Sequence, residues 1–281
     1  MTRRDEIKQL VLLFLCAVAL RFLLIHQGSA SPFFHHLIID AEKYSSDAIG
    51  LLNGTNDKYL TTPFWQAPGY TLYLYFLYFL FGLRNLLAVR AIQALIDGGN
   101  CILVVSIARA LGLQWRWSFL SGFLLAIYGP AIFFTTEIAI PIPLIFGMLL
   151  AIRLLLLLVE KPSTWLALTV GIVLGLSAIF RPNALVLGLP FIIYIVRHFT
   201  ERADAVKWSV LFVVGILLAV LPVSIHNFRR GGEFILISHN GGINLYVGNN
   251  PEWKSTFNIR PGPAWERMVS EPSRSVGPYR G

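Results

Sequence analysis

Seven stretches of this chain are apolar over lengths near the ~20 residues that an α-helix needs to cross a bilayer. They lie at about 9–25, 86–108, 118–136, 138–159, 164–180, 183–197 and 208–224. Their recurrence makes an all-α integral membrane protein of about seven transmembrane helices the expected fold class. Composition agrees. The chain is 56% hydrophobic and 14% charged, against roughly 25% charged in soluble domains. The first stretch follows the basic start "MTRRDEIK". With no small-residue cleavage site after it and more spans to come, it reads as a retained signal anchor. The net charge of +8 comes from basic residues scattered along the chain, many at span ends, so no nucleic-acid partner is expected. Cys16 and Cys101 both fall in predicted spans and support no disulfide framework, zinc site or thiol nucleophile.

Residues 68–82, "PGYTLYLYFLYFLFG", are apolar, short and crowded with Tyr and Phe. They read as a helix lying at the membrane interface. Orientation supports this. If the segment does not cross, Arg109, Arg116, Arg153, Lys161, Arg197, Arg202 and Lys207 all fall in short cytoplasmic loops, while the opposite short loops hold Arg181. The expected layout is then a transmembrane module over residues 1–224, with a long outer loop at 26–85. Residues 225–281 form a non-cytoplasmic C-terminal segment. Within it "EFILIS" (233–238) reads as a short strand, followed by Gly-Gly and Asn-Asn-Pro turns, and the tail after Pro251 reads as weakly ordered.

The polar residues in this apolar setting are the site candidates. Arg90, Gln93, Asp97 and Asn100 share one helix face, which must look into the bundle or a wet cavity. Arg90 is the stronger functional candidate, because Arg90 and Asp97 stand about 10 Å apart along the helix axis and pair poorly. Glu137 and Arg181 sit at turns on the outer side, Arg181 beside the helix-breaking Pro182. Asp40, Glu42, Tyr44 and Asp47 form a cluster in the long outer loop. His239 and Asn240 read chiefly as turn residues, with His239 kept as a ligand candidate. Gly171 and Gly175 read as a helix-packing pair. No nucleotide-binding glycine loop, HExxH helix, CxxC pair or GxSxG elbow occurs. A transporter is one class open to such a bundle, but no internal repeat is visible.

In order along the chain, "DAEKY", "APGYTLYLYFLYFLFG", "RAIQAL", "TTEIAIP", "RPNAL" and "SHNGGINLYVGNNP" resemble the GT-C superfamily of membrane glycosyltransferases. The similarity is to the branch of protein O-mannosyltransferases and the aminoarabinose lipid A transferase, and it covers roughly residues 1–252. It implies a polyprenyl-phosphate-linked sugar donor, a lipid, glycan or protein acceptor, and action on the outer or periplasmic face of a bacterial inner membrane. It implies Asp40 as the base or acceptor-binding group and Glu137 as the second catalytic acid; a transporter or flippase of a lipid-linked sugar is the competing class. Glu42, Tyr44, Arg90, Arg181 and His239 are then substrate-binding, the arginines holding the carrier phosphate. No cofactor is established by these residues; a divalent metal is compatible with them. The chain departs from the aminoarabinose branch in having "WQAPGY" where those relatives place a lysine before the proline, and it stops at Gly281 where longer members continue.

Overall fold

A computed structural model of the protein describes residues 2–31 and 34–249. The expected weakly ordered tail after Pro251 lies outside them. Twelve α-helices are described: α1 Arg3–Gly28, α2 Ile39–Leu52, α3 Asp57–Thr61, α4 Gly69–Phe81, α5 Leu86–Ala110, α6 Trp115–Ala126, α7 Gly129–Thr136, α8 Pro141–Glu160, α9 Thr164–Phe180, α10 Gly188–His198, α11 Arg202–Gly231 and α12 Gly241–Gly248. A 3-10 turn, Pro182–Leu187, joins α9 to α10.

All seven apolar stretches are helical, and their ends follow local chemistry. The Thr2 hydroxyl and the Asp5 carboxylate cap α1 reciprocally, so the helix starts well before its apolar run. Pro141 opens α8, and Gly232 in the left-handed conformation closes α11. Four helices, α1, α5, α8 and α11, are each long and apolar enough to span a membrane. α6 and α7 make a fifth span if the 47° bend between them lies within one crossing. α9, at 17 residues, and the segment 182–198 are shorter. The helices therefore stand where the sequence places them, while length alone supports four or five crossings rather than seven. α4, at 13 residues, is too short to cross.

Two contacts in the bundle show how its helices are held. α9 and α11 pack with Gly171 against Gly215, so closely that a Cβ on Gly171 would collide with the Phe212 carbonyl and come within 2.9 Å of the Gly215 Cα. A methyl group there has nowhere to go, so Gly171→Ala is expected to lower the unfolding temperature in detergent, by overpacking worth about 1–3 kcal/mol. Gly129→Ala, facing open space, is the control and should change little.

The second contact is buried and ionic. Arg21 of α1 is fully enclosed and bonds Asp97 of α5 through Nη2 at 2.6 Å and Nε at 2.8 Å. Its Nη1 donates to the Ala126 carbonyl at 2.6 Å, and its Nη2 also reaches the Leu125 carbonyl. Those carbonyls end α6 at the bend, where Leu125 also accepts from the Tyr128 N–H at 3.2 Å. Asn100 donates to the other Asp97 oxygen. Asp97 thus pairs across helices with Arg21, and not with Arg90 on its own helix.

The predicted strand at 233–238 is absent, and no strand occurs among the described residues. The physical reason is that α11 side chains take the carbonyls a neighbouring strand would take. Asn227 donates to Ile235 and Ile237, and Ser224 donates to Leu236. The glycines expected to make a turn at 241–242 instead begin α12.

Candidate active site

α2, α4, the loop at 62–66, the α7–α8 turn, the end of α9 and residues 233–249 converge at one end of the bundle. The "PGY" triplet shows how. Pro68 caps α4, and Gly69 lets the helix start against α9, where a Cβ would come within 2.7 Å of the Ile179 carbonyl oxygen and the Phe180 nitrogen. Tyr70, buried, then donates to Gln93 at 2.9 Å. Gln93 passes its own amide to the Thr135 and Glu137 carbonyls. The polar face of α5 is therefore a clamp: Gln93 and Arg90 hold the α7–α8 turn, and Asp97 holds α1.

Arg90 is 2% exposed. Its Nε donates to the Thr136 carbonyl at 2.6 Å and its Nη2 to the Phe34 carbonyl at 2.9 Å, with the guanidinium stacked 3.7 Å from the Phe34 ring centre. Nη1 is buried and unpartnered among the described residues. Arg90 also lines a cavity of about 670 Å³ together with Leu24, Phe34, His36, Leu37, Phe133 and Glu137 among others, mostly apolar. Glu137 is exposed and lies within electrostatic range of Arg90. A buried cationic donor left open, beside a carboxylate and under apolar walls, suits a phosphate carried on a hydrocarbon chain.

Asp40 stands in the first turn of α2, beside Ala41, which lines this cavity. Ile38 and Ala41 line the apolar cavity, while Lys43 and Asp47 line a polar pocket of about 230 Å³ on the other side. Asp40 shares the polar face and is exposed, accepting from Gln66 Nε2 at 3.2 Å. The residue before it, Ile39, has φ 53°, a left-handed conformation costly for a β-branched side chain. Tyr44 is buried behind Asp40, and its hydroxyl is pushed up to about 12, mainly by burial, with the Asp40 charge raising it and Arg181 lowering it. It stays neutral near pH 7. Asp40, Tyr44 and exposed Arg181 therefore form one electrostatic group.

Two predicted site residues are engaged elsewhere. Glu42 pairs with Arg84 at 3.0 Å and accepts from Ser46, an exposed contact pointing away from Asp40. His239 uses its backbone N–H on the Phe64 carbonyl and stacks its ring on Trp65. Among the described residues, no three His, Cys, Asp or Glu side chains gather as metal ligands would. Sequence reasoning missed Gln66, Arg21 and Asn227. Arg21 carried a signal, a charge inside an apolar span. Asn227, fully buried, accepts from the Phe64 N–H and so holds the loop that delivers Gln66.

A helical membrane bundle gathering an arginine-based apolar cavity and a carboxylate at one end fits the GT-C class of membrane glycosyltransferases. The model of the dolichyl-phosphate-mannose-protein mannosyltransferase family matches residues 65–226, more than half of the chain, and the chain belongs to that family. It is a membrane glycosyltransferase whose donor is a polyprenyl-phosphate-linked sugar. Arg90, Glu137 and Arg181 fall inside the matched segment, whereas Asp40 precedes it. No curated protein and no solved structure matches the chain.

Proposed function

We propose that the protein moves a hexose from a polyprenyl phosphate to a hydroxyl acceptor on the outer face of a bacterial inner membrane. The acceptor is a lipid, glycan or protein. The observation supporting this reading is the buried Arg90, with one N–H unpartnered among the described residues, lining an apolar cavity whose wall includes Ala41, the neighbour of Asp40. The carrier phosphate binds Arg90 Nη1, with its hydrocarbon chain along the cavity walls. The acceptor hydroxyl gives its proton to Asp40 as its oxygen bonds C1. The C1–O bond to phosphate breaks, and polyprenyl phosphate leaves with the electron pair. One displacement inverts the anomeric centre. Arg90 stabilises the negative charge growing on the phosphate. Arg181 screens the base and the leaving group, and Glu137 orients the donor sugar.

Transfer from radiolabelled polyprenyl-phosphate mannose, measured in membranes at varied donor concentration, tests the carrier site. Arg90→Lys should retain partial activity; Arg90→Ala should lose most of it through a raised donor KM. Because Arg90 also holds the α7–α8 turn, the unfolding temperature of each variant is measured alongside. A folded Arg90→Ala protein with an unchanged donor KM would remove the phosphate from this cavity. Orientation has its own check. A cysteine at Lys58 should react with an impermeant maleimide on intact cells, and one at Gly112 only after permeabilisation. Labelling of both from one side would move the site across the membrane.

A further inference from the structure

The polar pocket on the Asp40 side of α2 is a second cavity that the carrier reading does not use. Its carboxylate, Asp47, accepts from Lys43 Nζ at 2.9 Å and from Asn56 Nδ2 at 3.1 Å. The lysine charge is thereby cancelled inside the pocket, which leaves no net attraction for an anionic group. Tyr59 and Thr71, whose hydroxyls lie within reach of each other, also line it, as do the rings of Phe64 and Trp65, stacked on His226 and His239. Hydroxyls, an amide and a carboxylate around flat rings match a ligand with many neutral hydroxyls and an apolar C–H face.

Gln66 connects this pocket to the base. A carboxylate only accepts, so Asp40 must receive the Gln66 N–H, which fixes the amide's orientation. The Gln66 Oε1 is left buried with no partner among the described residues. A buried acceptor in that state is unfavourable until a donor reaches it. A ligand hydroxyl on Gln66 Oε1 stands beside Asp40.

We infer that this pocket is an acceptor subsite holding a neutral sugar ring, so that the acceptor is a glycan or glycolipid. The inference rests on the transferase reading for its role, but its test measures binding without turnover. The acceptor assignment follows from α2: residues 38 and 41 face the carrier cavity and residues 43 and 47 face this one. At 100° per residue Ala41 points about 160° from Lys43 and about 120° from Asp47 around the helix.

The test titrates methyl α-mannoside and a mannose disaccharide into the purified protein without donor, reading tryptophan fluorescence. Saturable change is expected, lost in Trp65→Phe. Asp47→Asn and Gln66→Met should each weaken binding about tenfold, while a thermal-unfolding trace confirms that they fold. Polyprenyl-phosphate mannose should bind together with the free sugar. Displacement of the free sugar by that donor would assign the pocket to the donor and overturn the inference. So would a neutral Ser/Thr peptide perturbing Trp65 in place of the sugars, or sugar binding unchanged in both variants. Any of these can occur while transfer stays dependent on Asp40, so failure here is separable from failure of the transferase reading.

Discussion

Asp40→Asn is expected to abolish sugar transfer while leaving the protein folded and inserted. Asparagine is nearly the same size and still accepts a hydrogen bond from Gln66 Nε2, so the geometry at 3.2 Å persists. It cannot take up the acceptor's proton. A positioned base contributes about 10²–10⁴-fold in rate, which puts the residual activity near background in a radiolabel assay. Asp47→Asn is the internal comparison. It should leave turnover at saturating acceptor close to wild type, because Asp47 lies about two helical turns from the base and is held by Lys43 and Asn56. Gln66→Met should fall between them, lowering turnover by loosening Asp40. Transfer at the wild-type level by Asp40→Asn would pass the role of base to Glu137.

The largest loss of stability is expected from Asp97→Leu. It leaves the Arg21 guanidinium charged, fully buried and without its counter-ion. Removing one partner of a buried pair costs about 3–5 kcal/mol. Surface pairs such as Arg84 with Glu42 contribute far less, because both side chains are about 40% exposed. The double variant Arg21→Met with Asp97→Leu should recover part of the loss by removing both charges. Full recovery is not expected. The Ala126 carbonyl at the α6 end loses its Arg21 donor as well, and an unsatisfied buried group costs about 1–3 kcal/mol. Unfolding in detergent, followed by tryptophan fluorescence, measures all three. A single Asp97→Leu as stable as wild type would show that the pair contributes nothing to the bundle.

Some of this was legible in the sequence alone because it depends on properties local to a segment. Apolar runs near the bilayer length predict helices wherever they occur, and all seven are helical. The crowding of Tyr and Phe in residues 68–82 marks α4 as apart from the spans, and at 13 residues it is too short to cross. Gly171 beside another small residue one turn on is a packing signal, and it packs. The polar face of α5 is likewise visible as spacing, since Arg90, Gln93, Asp97 and Asn100 are fixed relative to one another by the helix repeat.

What that face meets was not legible, because its partners lie far away in the chain. Asp97 bonds Arg21, 76 residues earlier, and Arg90 bonds Phe34 and Thr136 across 56 and 46 residues. Asn227 bonds Phe64 over 163 residues, and that bond holds the loop that brings Gln66 to Asp40. The predicted strand at 233–238 failed for the same reason. Residue type favours an extended segment there, and the segment's carbonyls were claimed by Asn227 and Ser224 on α11 before any strand partner. Glu42 and Asp40, two residues apart, look equivalent as a string. The helix turns them to different sides, one to Arg84 and the other to Gln66. Local hydropathy thus determined where the helices form; which buried polar group satisfies which, and so where the base stands, was decided by tertiary packing, because an unpaired polar group in a dry bundle is too costly to leave unanswered.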